Sequence, residues 1–228
     1  MKKIDIKGAI VSNNDADVYD YFGLESTSPN KVEKAILEAN FDDLEVVINS
    51  GGGDVFSASV IYTALKSYKG NVTVKIVGLA ASAASVIAMA GKKVLMSPTA
   101  QLMIHNVSTY AGGDYRDMEH AAEVLKNANE TIANAYRLKT GKTQDELLGL
   151  MDKESWFTAD KAKELGFIDE VMFEQTQLVA SKYSGMLPPE VIQTIKNQRL
   201  MTQETNEVNV SFLMSKLKLL KMKGAVNE

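Results

Sequence analysis

The chain has no cysteine and only two histidines among its 228 residues. The first absence excludes disulfide scaffolds, thiol catalysis and cysteine-ligated metal sites. The second leaves little material for a zinc site, so we predict that the protein uses no metal and no other cofactor. A long apolar run is also missing, because the most apolar stretch, residues 72–89, contains Lys75 and three small polar residues. This stretch is therefore predicted to be core rather than a membrane span.

An excess of charge of one sign is missing as well. The 25 basic and 29 acidic residues are interspersed and give a net charge of −4, which predicts no nucleic acid and no anionic membrane as a partner. Near the N-terminus, Asp5 and Lys7 interrupt the apolar residues before these reach the length of a signal peptide. We therefore expect a soluble, cytoplasmic protein.

Two strand–loop–helix units follow one another along the chain. In the first, residues 44–49 predict a strand, a glycine-rich loop follows at 50–54, and a helix extends over 55–68. In the second, a strand at 72–77 leads to an alanine-rich helix at Ser82. Successive units of this length predict the α/β class, with a parallel sheet covered by helices. Ligands of such sheets usually bind at the carboxyl ends of the strands.

Ser82 lies at one of these ends, where a strand turns into a helix. There its hydroxyl is close to the unpaired N–H groups and the positive dipole end of the helix, which can stabilise an oxyanion beside it. Alanines flank it on both sides, so another backbone could approach closely. Serine is also a favoured helix N-cap, and the position alone leaves a purely structural role open.

A catalytic serine needs a base, and the two histidines are the candidates. His105 ends an apolar strand over residues 102–105, whereas His120 lies inside a long helix predicted over residues 115–140. Because strand ends open onto the predicted site, His105 is the predicted base. A histidine at a strand end can also serve only as a hydrogen-bonding group of the structure.

A triad would further require a carboxylate to orient the imidazole. Glu154 and Asp152 are the candidates, since both lie in a loop predicted at residues 152–157. The alternative for each is a solvated surface charge. The triple glycine that ends at Gly53 offers unobstructed backbone N–H groups, so the amides of Gly53 and Ala83 could form an oxyanion hole. A triple glycine could equally be a flexible turn.

Four ordered motifs carry a family resemblance: INSGGGDVFSA, VGLAASAASVIAMAG, MIHN and WFTADKAKELGFID. Over about residues 8–173 the chain resembles the Clp protease proteolytic subunit (ClpP) family, and most closely its phage and prophage members, which resemble capsid (head) maturation proteases. The resemblance implies a ClpP/crotonase-like fold, serine endopeptidase chemistry on protein or peptide substrates, and ring-like homo-oligomers. It places the nucleophile at Ser82, the histidine at His105 and the oxyanion amides at Gly53 and Ala83.

Three departures from the housekeeping members bear on this expectation. Glu154 aligns with their aspartate, which leaves the acid open between Glu154 and Asp152, and Gly51 stands where they have a proline. Their N-terminal segment, which forms axial loops and helps to dock an ATPase ring, has no counterpart before Ile4. We therefore expect the protein to work without a Clp ATPase and to cleave capsid or scaffold chains assembled with it.

Three other functions remain open from the sequence. The first is an ATPase-dependent degradative subunit of the Clp type. The second is a crotonase-type acyl-coenzyme A enzyme, which would not need Ser82 and His105 together. The third is a non-catalytic capsid assembly module. The predicted organisation is a ClpP-like serine protease domain at 1–174 and a tail at 175–228, which consists of a linker and an amphipathic helix over 209–223.

Overall fold

The computed structural model describes residues 1–174 and Gln193. Met1–Glu174 form one compact unit. The predicted tail, apart from Gln193, lies outside the described residues, so its amphipathic helix stays a prediction. The strands are Lys2–Ile10 (β1), Ser26–Thr27 (β2), Leu44–Gly53 (β3), Val72–Ala81 (β4), Lys93–Met96 (β5), Gln101–Ile104 (β6), Ser155–Phe157 (β7) and Glu170–Val171 (β8).

Helices connect most of these strands. They are Ala16–Tyr21 (α1), Pro29–Glu38 (α2), Val55–Lys66 (α3), Ala83–Ala88 (α4), Tyr115–Thr140 (α5), Gln144–Met151 (α6) and Ala159–Glu164 (α7). Within the described residues, no helix is both long enough and apolar enough to cross a lipid bilayer.

The sheet is parallel along its main path, in the order β2-β1-β3-β4-β5-β8. Strand β4 has two successive neighbours: its first half pairs with β5, and its last residues, Leu79 to Ala81, pair with Gln101 to Met103 of β6. Strand β7 runs antiparallel to β6. The change of neighbour brings the carboxyl ends of β3, β4 and β6 together.

The centre of the sheet is buried on both faces, as expected for parallel strands covered by helices. Val46, Ile48, Val74 and Ile76 have no exposed surface. Helix α3 begins directly after β3, where the Asp54 side chain accepts a hydrogen bond of 2.7 Å from the Ser57 N–H. This cap fixes the direction in which the chain leaves the sheet.

Both central strands are longer than the sequence pattern predicted. β3 continues through the glycines that we predicted to be a loop, because Gly52 and Gly53 pair with Ala9 and Ile10 of β1. β4 likewise extends to Ala81 beside β6. Residues 155–157, also predicted as loop, form β7. Pairing uses only backbone groups, so a neighbouring strand can recruit residues of low strand propensity.

Candidate active site

Three functional segments meet where parallel strands end. Gly53 is the last residue of β3, Ser82 follows β4 directly, and His105 follows β6 directly. The Ser82 N–H donates a hydrogen bond of 3.0 Å to the carbonyl oxygen of Met103, which extends the β4–β6 ladder to the serine itself. The strand register therefore places Ser82 and His105 side by side, although 23 positions separate them in the chain.

Ser82 has a backbone conformation that residues other than glycine rarely adopt, with φ 54° and ψ −126°. Its carbonyl oxygen accepts hydrogen bonds from the Ser85 N–H at 2.9 Å and from the Ser85 hydroxyl at 2.6 Å. Such strain costs about 1–3 kcal/mol and persists only where neighbouring contacts enforce it. A sharp strand-to-helix turn of this kind exposes the serine hydroxyl at the edge of the sheet.

The Ser82 hydroxyl lies 2.8 Å from Nε2 of His105. A hydroxyl that donates its proton to a neutral imidazole nitrogen makes this contact, and the same geometry allows the nitrogen to take the proton. His105 is half-buried, whereas His120 is exposed on α5 and does not line this cleft. Of the two histidines, His105 is the one that contacts the serine.

Neither predicted carboxylate bonds to His105 among the residues that the structure describes. Asp152 accepts a hydrogen bond of 2.8 Å from Nδ2 of Asn106, and Glu154 accepts one of 3.3 Å from the Trp156 indole. The register of β6 and β7 nevertheless distinguishes them. Ile104 pairs with Ser155 at the end of this antiparallel ladder, so Glu154, in the turn just before β7, follows Asp152 and directly precedes the residue that pairs next to His105.

The predicted oxyanion amides line the same cleft as Ser82 and His105. Ala83 is the first residue of α4, and its N–H donates to no protein group within the described part of the chain. Gly53 has φ 147°, and a side chain there would collide with the Ile10 carbonyl oxygen. Glycine at 53 thus allows the end of β3 to pair closely with Ile10 of β1.

The cleft has a volume of about 420 Å³, and α5 supplies an apolar wall that the sequence did not identify as part of the site. The wall consists of Val124, Leu125, Ala128 and Ile132. Asn129 on the same helix accepts a hydrogen bond of 2.7 Å from the Val107 N–H, which ties the segment after His105 to α5. The sequence shows the helical spacing of these apolar residues, but it does not show that they line the cleft.

A further contact close to Ser82 was not predicted from the sequence either. The Ser85 hydroxyl lies 2.8 Å from the Tyr136 hydroxyl, and both side chains are almost entirely buried. Burial raises the pKa of the Tyr136 phenol far above its ordinary value. The one available signal was a second serine, three residues after the first, in the first turn of an alanine-rich helix.

No group of three or more histidine, aspartate or glutamate side chains within residues 1–174 is arranged to hold a metal ion. A parallel α/β sheet with a serine–histidine pair at its carboxyl edge, above an apolar cleft, is typical of a serine hydrolase.

The family model for Clp protease matches residues 27–175, more than half of the chain. The chain therefore belongs to the Clp protease family and is a serine-type peptidase. It is 31% identical over 156 residues to ATP-dependent Clp protease proteolytic subunit 1 of Streptomyces avermitilis, covering 65% of this chain and 71% of that protein. It is 33% identical over 135 residues to the proteolytic subunit of Bacteroides fragilis, covering 58% of this chain and 65% of that protein.

Among solved structures, the chain is similar to a mutant of ClpP1 from Listeria monocytogenes. The TM-score is 0.63 at 23% sequence identity, and the match covers 76% of this chain and 92% of that one. At this identity the likeness concerns the fold alone. It confirms the predicted α/β fold of the ClpP/crotonase-like type.

Proposed function

We propose that the protein is a serine endopeptidase in which Ser82 is the nucleophile, His105 the general base, and the Gly53 and Ala83 amides the oxyanion hole. The observation that carries this proposal is the 2.8 Å contact between the Ser82 hydroxyl and Nε2 of His105. Neither residue alone would indicate catalysis, because strand ends often hold structural serines and histidines. Their contact at the mouth of a cleft provides a nucleophile together with its base.

The reaction proceeds through an acyl-enzyme. Ser82 Oγ attacks the peptide carbonyl carbon while its proton passes to Nε2 of His105, and the amides of Gly53 and Ala83 donate to the resulting oxyanion. The C–N bond then breaks, and His105 gives its proton to the leaving amine. Water then attacks the acyl carbon while the same nitrogen takes its proton, and His105 returns that proton to Ser82 Oγ as the acyl C–O bond breaks.

We assign the third member of the triad to Glu154, with Asp152 as the alternative. Its position supports Glu154, because it directly precedes Ser155, which pairs with the residue before His105. Release of Glu154 from its hydrogen bond with the Trp156 indole would free its carboxylate for Nδ1 of His105.

The cleft favours peptides with an apolar side chain beside the cleaved bond. The wall from α5 is aliphatic, and it lines the same cavity as Ser82. Burial of a leucine-sized side chain against such a wall contributes about 1.5–3 kcal/mol. We therefore expect short peptides with leucine or methionine before the scissile bond to be cleaved in preference to those with aspartate or lysine.

Treatment of the full-length protein with a fluorophosphonate probe tests the assignment of the nucleophile. An activated serine forms an Oγ–P bond and releases fluoride. We expect intact mass to show a single adduct, and peptide mapping to place it on Ser82. A folded protein that gains no adduct, or an adduct on any other serine, would refute the proposal.

We further propose that the physiological substrates are phage capsid or scaffold chains that assemble with the protein, cleaved without an ATPase. This rests on the resemblance to phage and prophage members of the family. The relatives from Streptomyces and Bacteroides are named as ATP-dependent, so an ATPase-dependent degradative subunit is the competing function. We expect a purified Clp ATPase with ATP to leave the degradation of a tagged, folded protein undetectable. Degradation that requires ATP and the ATPase would contradict this and favour the competing function.

A further inference from the structure

A line of buried hydroxyls connects α5 to the backbone of the nucleophile. The Tyr136 hydroxyl lies 2.8 Å from the Ser85 hydroxyl, which in turn lies 2.6 Å from the Ser82 carbonyl oxygen. Ser85 has no exposed surface and Tyr136 is 1% exposed. Solvent therefore cannot replace either bond without opening the core.

The direction of both bonds follows from their chemistry. A carbonyl oxygen only accepts, so the single hydroxyl proton of Ser85 must be donated to Ser82. The Tyr136 proton must then be donated to the Ser85 oxygen. Donors in series polarise one another, which strengthens the final bond to the Ser82 carbonyl. Because burial raises the pKa of Tyr136, the phenol keeps its proton at neutral and moderately alkaline pH.

We infer that Ser85 and Tyr136 form a positioning relay that holds Ser82 in its strained conformation, with the hydroxyl aimed at His105. The inference rests on the proposed role of Ser82. The strained φ of 54° belongs to Ser82 itself, and the carbonyl that receives the relay is part of the same residue. A rotation of the Ser82–Ala83 peptide would relieve the strain through ψ and would turn the Ala83 N–H away, and a change in φ of Ser82 would also displace its Cβ and Oγ. The hydrogen bond from the Ser85 hydroxyl to the Ser82 carbonyl oxygen opposes that rotation.

Ser85 does not line the cleft, and Tyr136, although it is among the lining residues, is only 1% exposed, so we assign both a positioning role rather than a catalytic one. Their loss should lower the rate at which Ser82 becomes acylated, beyond any loss of stability. The two effects can be separated because the single and double substitutions leave different atoms unpaired. Ser85→Ala leaves the buried Tyr136 hydroxyl without its hydrogen-bond acceptor. Tyr136→Phe leaves no buried donor without a partner, because the Ser85 hydroxyl still donates to Ser82. The double variant removes both hydroxyls.

The test compares fluorophosphonate labelling rates with urea unfolding at one fixed protein concentration. We expect Ser85→Ala to lower both the labelling rate, by about tenfold or more, and the unfolding midpoint. Tyr136→Phe should slow labelling about threefold with a small change in midpoint. The double variant should regain stability relative to Ser85→Ala but label as slowly, since Tyr136 acts only through Ser85.

Thr27→Val serves as the matched control. Thr27 is buried, and its hydroxyl bonds only to the backbone of Lys7, on the far side of β1 from Ser82. This substitution should lower the unfolding midpoint and leave the labelling rate unchanged. In the Ser85 and Tyr136 variants, the labelling rate should fall at every pH while the midpoint of its pH profile stays the same. The substitutions change the position of Ser82 and not the proton affinity of its base.

The outcomes distinguish the relay from the proposed function. If wild type fails to label on Ser82, the proposed function fails, and the relay with it. If wild type labels on Ser82 and Tyr136→Phe and the double variant label at the wild-type rate, the hydroxyls only stabilise the core and the relay is refuted. If the double variant does not fold, the labelling rate of Tyr136→Phe alone decides between the relay and a purely stabilising role. This substitution removes one hydroxyl and leaves no buried donor without a partner.

Discussion

Replacing Ser82 with alanine is expected to lower hydrolysis of a fluorogenic peptide by about ten-thousandfold or more, and His105→Ala should have a similar effect. Both substitutions remove the contact between nucleophile and base, and triad members act as a unit. The measurement is kcat/KM for the full-length variants, together with circular dichroism to establish that they fold.

The chain provides its own controls for this experiment. His120, the only other histidine, is exposed on α5, and Ser67 is an exposed serine at the end of α3. His120→Ala and Ser67→Ala should therefore retain wild-type kcat/KM. If a folded Ser82→Ala variant kept more than a few per cent of wild-type activity, another residue would have to be the nucleophile.

Gly52→Ala should cost at least about 2 kcal/mol of stability and reduce peptide hydrolysis by about a hundredfold. Gly52 has φ 99°, and a Cβ added there would lie 2.8 Å from the Ser82 Cβ and 3.0 Å from the Ala83 nitrogen. The end of β3 would have to move away from the nucleophile, and the neighbouring Gly53 amide would move with it. Urea unfolding and kcat/KM together measure the effect.

Gly51→Ala is the matched control, one residue earlier in the same strand. A Cβ added at Gly51 has no atom within 4 Å, and its φ is not in the left-handed region. We expect Gly51→Ala to be close to wild type in both stability and activity. Equal effects of the two substitutions would mean that the glycine run acts through flexibility rather than through the close approach of Gly52 to Ser82.

Residue types and short-range order were sufficient to predict several features of this protein. The branched residues of β3 and β4, each followed by a helix, indicated a parallel α/β sheet because strands buried on both faces need apolar residues throughout. Ser82 was a candidate because a serine between a strand and a helix lies near the unpaired N–H groups of that helix, although the position alone also fitted a structural N-cap. With only two histidines in the chain, the choice of His105 followed from its place at a strand end.

The missed elements of the site depend on long-range pairing. The apolar face of α5 and the bond between Ser85 and Tyr136 join residues far apart in the sequence, and helical periodicity shows only that a face is apolar, not what lies against it. The strand β7 was read as a loop for the same reason. Its three residues are ordered by pairing with β6, an interaction that no local propensity encodes.

The sequence by itself determined the class of sheet, the serine at its edge and the histidine that could serve it, since these follow from local chemistry and from the direction of parallel strands. Only the tertiary structure decided that Oγ of Ser82 lies 2.8 Å from Nε2 of His105, that Ser155 pairs with the residue before His105, and that the hydroxyls of Ser85 and Tyr136 link α5 to the carbonyl oxygen of Ser82. Distances of this kind arise from packing among segments that meet only in the folded chain, where the strand register converts separations of many residues into direct contact.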